Sequence, residues 1–554
     1  MSESPSTFLP RRATAWGCIG ACGLLLLLGL AGLAVPATWA TPGPADWTIR
    51  LTLDPLAGCF LLLLAIGLLA CAVCEEVSPL LPAGALLTLL AGDPLTLAVG
   101  LLLLGSGGTL RLAMLAAVAT TVSLALVHAA EPSAIVPALA TIGACALAVG
   151  LLRDAAPAAA VCATVAIYLP MRLLIDPSVP PLPVWASLVP LLAGGLAVLP
   201  GALFALFGAT PQAVLSSLAG QQLGMAAIGI GVALLARVVD RPDLVLLALQ
   251  AGWLWTVGHA LLQALGLLGA RAVETASGTR LLGRLGGLVH FMPLTTASMG
   301  AGMFGAAMLP PGLGFAALWL LIQALLGLAK IGGLGLQLLV AVVALAVALT
   351  AGLVPIALLR LFGVAFLGRP RTPRTSVTEE PKPPLRAVLP ALAGLTLLLG
   401  VFPGLTLGPA APALDRLAGG NAVPTPMLLA LRAGAQAPGY SPIAVGLLLA
   451  LVAGPAVWVL RQREKRREAA WSGGFEPPPR WLPFGDPATQ YGPASFAEPV
   501  RLVLGTIPVS ALDAGWSSAL RRIAERTREQ VTGWSVGAAI AVSGLAAAAW
   551  VALS

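Results

Sequence analysis

Few side chains inside the long apolar runs of this 554-residue chain can bind a proton or hold a water, and they bound its chemistry. His259 is one of three histidines. Imidazole alone has an ordinary pKa close to neutrality, about 6.5, so it can take up and release a proton. The competing reading is a histidine hydrogen-bonded to a helix carbonyl and kept for packing. Lys330, in Leu328-Ala-Lys-Ile-Gly-Gly333, stands beside a glycine pair suited to a helix break. A lysine with a lowered pKa can exchange protons there, whereas a lysine at a helix end ordinarily snorkels to the headgroups. Arg360 lies within an apolar helix, at a cost of about 2.5–3.5 kcal/mol on insertion scales, so it faces the bundle interior or reaches the interface. It stays protonated, and can set a field but not relay a proton. Gln221, Gln222 and Gln263 bond to water without titrating. They line a wet channel or tie one helix to the next.

The remaining polar residues read as punctuation. His290 opens a helix beside Met292-Pro293, and His128 and Glu131 flank a helix end. Asp54 before Pro55 and Asp93 before Pro94 are helix-start pairs. All seven cysteines lie in or beside apolar runs; Cys71 and Cys74 are a CxxC in spelling only, with no second ligand pair or histidine cluster nearby. No span holds a nucleophile–base pair, paired carboxylates or a metal motif, so a membrane-embedded enzyme is the weakest class and no cofactor or metal is assigned to the chain.

The elements that must position these residues are membrane helices. Composition is 58% apolar and only 10% charged, and mean hydropathy is +0.94, which makes lipid the solvent. Apolar runs of the length needed to cross about 30 Å of hydrocarbon begin near Gly17, Leu51, Leu81, Leu110, Ile135, Ala156, Val184, Val214, Leu244, Met292, Gly314, Leu336, Ala387, Pro442 and Ser535. The fold class is therefore all-α and polytopic, with about 14 to 15 spans. Leu, Ala and Gly outweigh β-branched and aromatic residues, which argues against a barrel and for close helix packing. The first apolar run resembles a signal peptide, yet in a polytopic chain a retained helix is expected.

Organisation follows from composition. Residues 1–366 form a bundle and 367–386 a polar, Pro-rich connector; 387–460 hold two further spans around a long loop. Residues 461–533 are a polar segment with an amphipathic helix at Ser517 to Gln530, and 534–554 a terminal span. Arg369, Arg371, Arg374, Lys382 and Arg386 fall on the same side as Arg461, Arg463, Lys465, Arg466 and Arg467, which the positive-inside rule makes cytoplasmic. Arg11 and Arg12 agree if an even number of helices precedes Arg369. No aromatic platform accompanies these clusters, so no nucleic-acid partner is expected.

Specific strings carry a resemblance. His259-Ala-Leu-Leu-Gln263, Ser277-Gly-Thr-Arg280, Leu285-Gly-Gly-Leu288, Met292-Pro293 and Leu309-Pro-Pro-Gly-Leu-Gly-Phe315 resemble the second half of the antiporter-like subunits of respiratory complex I, Mrp antiporters and hydrogenase-4/formate hydrogenlyase. Phe362-Gly-Val-Ala-Phe-Leu-Gly-Arg-Pro-Arg371, Trp471-Ser-Gly-Gly-Phe475 and Thr489-Gln-Tyr-Gly-Pro-Ala-Ser-Phe-Ala-Glu-Pro-Val-Arg501 look most like the large hydrogenase-4 type, and Leu53-Asp-Pro-Leu56 also fits. The resemblance is specific from about Val214 and weak between about Leu89 and Pro211. It implies a multi-pass subunit of the inner (cytoplasmic) membrane, surrounded by lipid and by other membrane and soluble subunits that would hold any iron–sulfur or metal centre.

The departures matter as much. The family moves protons along a row of buried ionisable residues. Here the early Trp-Glu helix reads Leu101-Leu-Leu-Leu-Gly-Ser-Gly-Gly108, and the Lys-bearing segment shortens to Leu151-Leu-Arg-Asp-Ala-Ala-Pro157. The Glu-Asn pair appears as Gln221-Gln222, the lysine after His259 as Gln263, and the Asn and Glu after Pro310-Pro311 as Leu313 and Leu318; Arg360 stands where a buried lysine is frequent. Such differences keep some polarity and remove titration. The resemblance thus implies an ion-translocating redox-complex subunit with His259, Lys330, Arg360, Gln263, Gln221 and Gln222 as pathway candidates. Its rivals are a scaffold subunit that has lost conduction and a stand-alone secondary transporter.

Overall fold

The computed structural model describes residues 8–42, 48–75, 77–105, 135–152, 156–176, 182–330, 333–420, 430–432, 439–462, 492–493 and 498. The expected runs from Leu110 and Ser535, His128 and Glu131, Arg153 and Asp154, and most of the polar segment 461–533 with its amphipathic helix, lie outside these residues.

Helix α1 (Phe8–Ala34) leads through a two-stranded hairpin, β1 (Ala37–Pro42) and β2 (Thr48–Leu53), into α2 (Pro55–Cys74). Asp54 starts α2 as its sequence position suggests: its carboxylate accepts from the Ala57 N–H at 2.9 Å, and Pro55 fills the first position, where the N–H is not needed. The run from Leu81 is not one crossing. It divides into α3 (Leu80–Leu90) and α4 (Pro94–Gly105), of 11 and 12 residues, too short alone for a bilayer. Asp93 causes the reversal. Its carboxylate accepts from the Thr96 N–H at 2.8 Å and hydroxyl at 2.6 Å, and from the Arg50 N–H of β2 at 2.9 Å. Gly84 and Gly100 then let the two helices touch backbone to backbone: a Cβ on Gly84 would sit 2.5 Å from the Leu104 nitrogen.

The main bundle follows: α5 (Ile135–Leu152), α6 (Pro157–Ile175), α7 (Val184–Phe207), α8 (Pro211–Val238), α9 (Pro242–Ser277), α10 (Pro293–Ala306), α11 (Leu313–Ala329) and α12 (Leu334–Ala365). Beyond the connector come α13 (Leu385–Val401), α14 (Gly404–Leu417), a short pairing of β3 (Leu431–Arg432) with β4 (Gly439–Tyr440), and α15 (Pro442–Gln462). Among the described residues eight helices are long and apolar enough to cross a membrane, or nine if α13 and α14, bent by 70° at Phe402-Pro403, act as one span.

Ion pairs fix which ends share a face. Glu75 at the end of α2 pairs with Arg271 near the end of α9, and Arg172 near the end of α6 pairs with Asp54 at the start of α2. Leu367 and Phe366 accept from Gly287 and Val289, both at 2.9 Å, which puts the arginine-rich connector on the Glu75 face. The start of α1 lies on that face too, since its other end enters the hairpin before Asp54. Lipid supplies no hydrophobic reason for helices to meet, so small residues decide the contacts. Helix α15 stands clear of the bundle with Leu447, Leu451 and Trp458 exposed, a surface that needs lipid or another chain around it.

Candidate functional site

An interrupted segment and helix α6 meet the middle of α9. Along α10 and α11 the contacts run antiparallel to α9: a Cβ on Gly269 would sit 2.2 Å from the Met299 sulfur, on Gly302 2.3 Å from Leu265, on Gly258 3.8 Å from Leu313, and on Gly327 2.5 Å from Leu244. The pair therefore spans the height of α9 with its break, residues 307–312, beside Gly258. Met308 in that break has φ +56, outside helical backbone, and Gly312 caps α11 with extended backbone. Helix α6 also meets the middle of α9: the Ala160 carbonyl lies against His259, Val161 fills the space at Gly67, and the helix ends where the Ile175 carbonyl accepts from Arg237 at 2.9 Å.

On α9, Trp255, His259 and Gln263 recur every four residues and so share one face. All three are buried. His259 Nε2 lies 2.9 Å from the Ala160 carbonyl oxygen. A carbonyl only accepts, so Nε2 carries the hydrogen, and Nδ1 is an acceptor with no partner among the described residues. Gln263 Nε2 donates to the Leu215 carbonyl of α8 at 3.1 Å, and its Oε1 has no partner among the described residues. On α8, Gln221 and Gln222 are equally buried but point apart. Gln221 packs at Gly201 of α7, whereas Gln222 turns to α9; Gln221 Nε2 and Gln222 Oε1 have no partner among the described residues. Buried polar groups are ordinarily satisfied, so such a row of orphans across two facing helices marks where water or a proton has partners waiting.

The other two candidates fall elsewhere. Lys330 is exposed at the end of α11, about 25 Å from the break, where a cation suits the negative end of the helix. Arg360 is buried five residues before the end of α12. Its Nε donates to the Pro493 carbonyl at 2.7 Å and one terminal nitrogen to Gly208 at 2.8 Å, so it ties α12 to the α7–α8 turn and to the segment at 492–493. It sits near the connector face, not in the α8–α9 seam. Trp255, which the sequence reading passed over, belongs to the seam; its signal was the four-residue spacing before His259. A second charged cluster, Arg172 with Asp54 and with Asp176 at 3.4 Å, lies at the opposite face on a π-turn, Met171–Ile175, and joins α2 to α6. Among the described residues no group of three or more His, Cys, Asp or Glu comes together as a metal site would need.

No protein-family model matches the chain. An uncharacterized protein of Mycobacterium tuberculosis is 30% identical over 365 residues, 62% of this chain and 54% of that protein. Formate hydrogenlyase subunit 3 of Escherichia coli is 30% identical over 190 residues, covering 34% of this chain and 31% of its own, and hydrogenase-4 component B of the same organism is 26% identical over 220 residues, 40% and 33% respectively. The chain thus spans about half the length of the first relative and about a third of the other two.

Among solved structures, a chain of the archaeal membrane-bound sulfane sulfur reductase superposes with a TM-score of 0.67 at 16% identity, covering 97% of this chain and 94% of that one. A chain of the Mrp complex from Dietzia sp. gives 0.59 at 21% identity, covering 74% and 93%, and one of respiratory complex I from Thermus thermophilus 0.54 at 20%, covering 73% and 95%. The fold is shared with these chains of membrane-bound complexes. In sequence the chain is similar to formate hydrogenlyase subunit 3 over 34% of its length and to hydrogenase-4 component B over 40%. It is a multi-pass membrane protein.

Proposed function

We propose that this chain is the antiporter-like membrane subunit of a multisubunit ion-translocating redox complex of the hydrogenase-4/complex I type. One observation carries the reading: the interrupted pair α10–α11 and the Ala160 carbonyl of α6 converge on the middle of α9 at a buried histidine, in a chain related to formate hydrogenlyase subunit 3 and hydrogenase-4 component B. Interrupted helices bring backbone polar groups to the membrane middle, which is tolerable only inside protein or beside water. His259 is the titratable member of the seam, with Gln263 and Gln222 holding water on either side and Gln221 facing α7. Lys330 and Arg360 serve at the two ends as entry-side charges or anchors. The membrane is the inner (cytoplasmic) one, with the connector face cytoplasmic, and soluble neighbouring subunits supply the redox centres. Residues 1–366 act as the translocating bundle and the spans after 387 as its attachment to partners.

A second reading is favoured by the seam's composition. Three of the four candidates at α8 and α9 are glutamines, which hold water and do not ionise. On that reading the chain is a scaffold that has kept the family fold and lost conduction. The two separate in proteoliposomes holding the assembled complex. With His259→Gln, the translocating reading expects ion transport coupled to the redox reaction to fall at least about a hundredfold, the low end of removing one acid–base group. Unchanged coupling, with the complex intact, leaves the scaffold.

A further inference from the structure

Arg360 is a buried cation, 3% exposed, that meets no carboxylate among the described residues. Its partners there are two backbone carbonyls: Pro493 accepts from Nε at 2.7 Å and Gly208 from one terminal nitrogen at 2.8 Å. The other terminal nitrogen is buried and has no partner among those residues. A buried charge is costly unless its hydrogen bonds are met, so this arginine is held by what it donates to. Its donors form a rigid planar fork, which lets one side chain serve two carbonyls at once. Those carbonyls come from distant parts of the chain. Gly208 lies between α7 and α8, and Pro493 belongs to the polar segment beyond α15. Helix α15 stands clear of the bundle, so it does not itself bring that segment to the connector face.

We infer that Arg360, Gly208 and Gly283 form a docking site on the connector face for the chain's own Gly492-Pro493, fastening the polar segment after α15 beside the turn that starts α8. Gly283 is the second wall: a Cβ built on it would lie 3.7 Å from Pro493 Cγ and 3.9 Å from Cδ, ordinary contact. The rim is tied by backbone bonds, from the Leu282 N–H to the Ala209 carbonyl at 3.0 Å and from the Gly287 N–H to the Leu367 carbonyl at 2.9 Å. Proline suits such a site. It has no N–H to leave unmet, and its fixed φ leaves little backbone freedom to lose on docking. The dock reads a carbonyl and a ring, moves no ion, and holds on either reading of the function.

Cysteines on the two sides of the contact test it. In the assembled complex, Gly283→Cys with Pro493→Cys is expected to form a disulfide under mild oxidation, read by mass spectrometry of the linked peptides. Adding Arg360→Met, which keeps an apolar stem and removes every donor, is expected to slow the cross-link at least about tenfold, the worth of one hydrogen bond to a charged group. A cryo-EM map of the Arg360→Met complex is expected to keep α12 and the α7–α8 turn while density at residues 492–493 goes. Gly283→Leu, at an exposed position, fills the opposite wall and is expected to clear the same density with Arg360 untouched. Failure of the cysteine pair to link, an unchanged rate with Arg360→Met, or a Gly283→Leu map with Pro493 still seated on Arg360 overturns the dock.

Discussion

Glu380 of the connector caps α10 from 85 residues away, and its loss has a calculable consequence. Met292, the residue before the helix, makes no side-chain cap bond. Glu380 stands in: Oε1 accepts from the Leu294 N–H at 2.6 Å and the Thr295 N–H at 3.2 Å, and Oε2 from the Thr295 hydroxyl at 2.6 Å. Losing a cap costs about 1 kcal/mol, and losing a carboxylate from the positive end of a helix about 0.3–1 more. For Glu380→Ala we take about 2 kcal/mol, allowing for the charge on the acceptor. If α10 frays locally, that is roughly a 30-fold rise in amide exchange over Leu294 to Thr296. Hydrogen exchange read by mass spectrometry on the assembled complex measures it. Glu380→Gln, which keeps an acceptor without charge, is expected to fall between, and alanine at the exposed neighbour Glu379 to change nothing. Unchanged exchange in Glu380→Ala would refute the cap.

Two further outcomes are expected. Gly84→Ala puts a methyl 2.5 Å from the Leu104 nitrogen and 2.8 Å from the Gly100 carbonyl oxygen, backbone atoms that cannot turn aside, so α3 and α4 separate at a cost of about 1–3 kcal/mol. The complex should melt lower than with Gly352→Ala, where nothing lies within 4 Å. Tyr440, its ring 5.0 Å from Phe315 and 6.0 Å from Trp319, has its phenol pushed up by burial from 10.0 to about 12. Its folded pKa is the higher, so its stabilisation is complete below pH 10 and lost as pH rises from there to about 12. Tyr440→Phe should remove that loss, and an ultraviolet titration showing this phenol ionising at its ordinary value would contradict the burial argument.

Much was legible before any coordinates. Asp54-Pro55 and Asp93-Pro94 announced helix starts because a carboxylate cap followed by proline is a local device. Both carboxylates cap as expected. Apolar runs announced a helical membrane protein because hydrocarbon permits no unpaired backbone, and strings such as His259 to Gln263 carried the resemblance to the antiporter-like subunits. The sequence also determined which residues lack charge: Gln221, Gln222 and Gln263 cannot titrate in any fold.

Tertiary structure alone decided which of them meet. Lys330 and Arg360 lie in runs as apolar as those of His259, and hydropathy reports that a stretch is in the membrane, not its depth or rotation. Depth came from where α10 gives way to α11 beside Gly258, and rotation from small-residue contacts such as Gly201 with Gln221 and Gly269 with Met299. Those contacts turned adjacent glutamines to opposite sides and sent the lysine and arginine to the ends. In lipid every apolar face is equally comfortable outside. Packing, rather than water, therefore chooses what faces in.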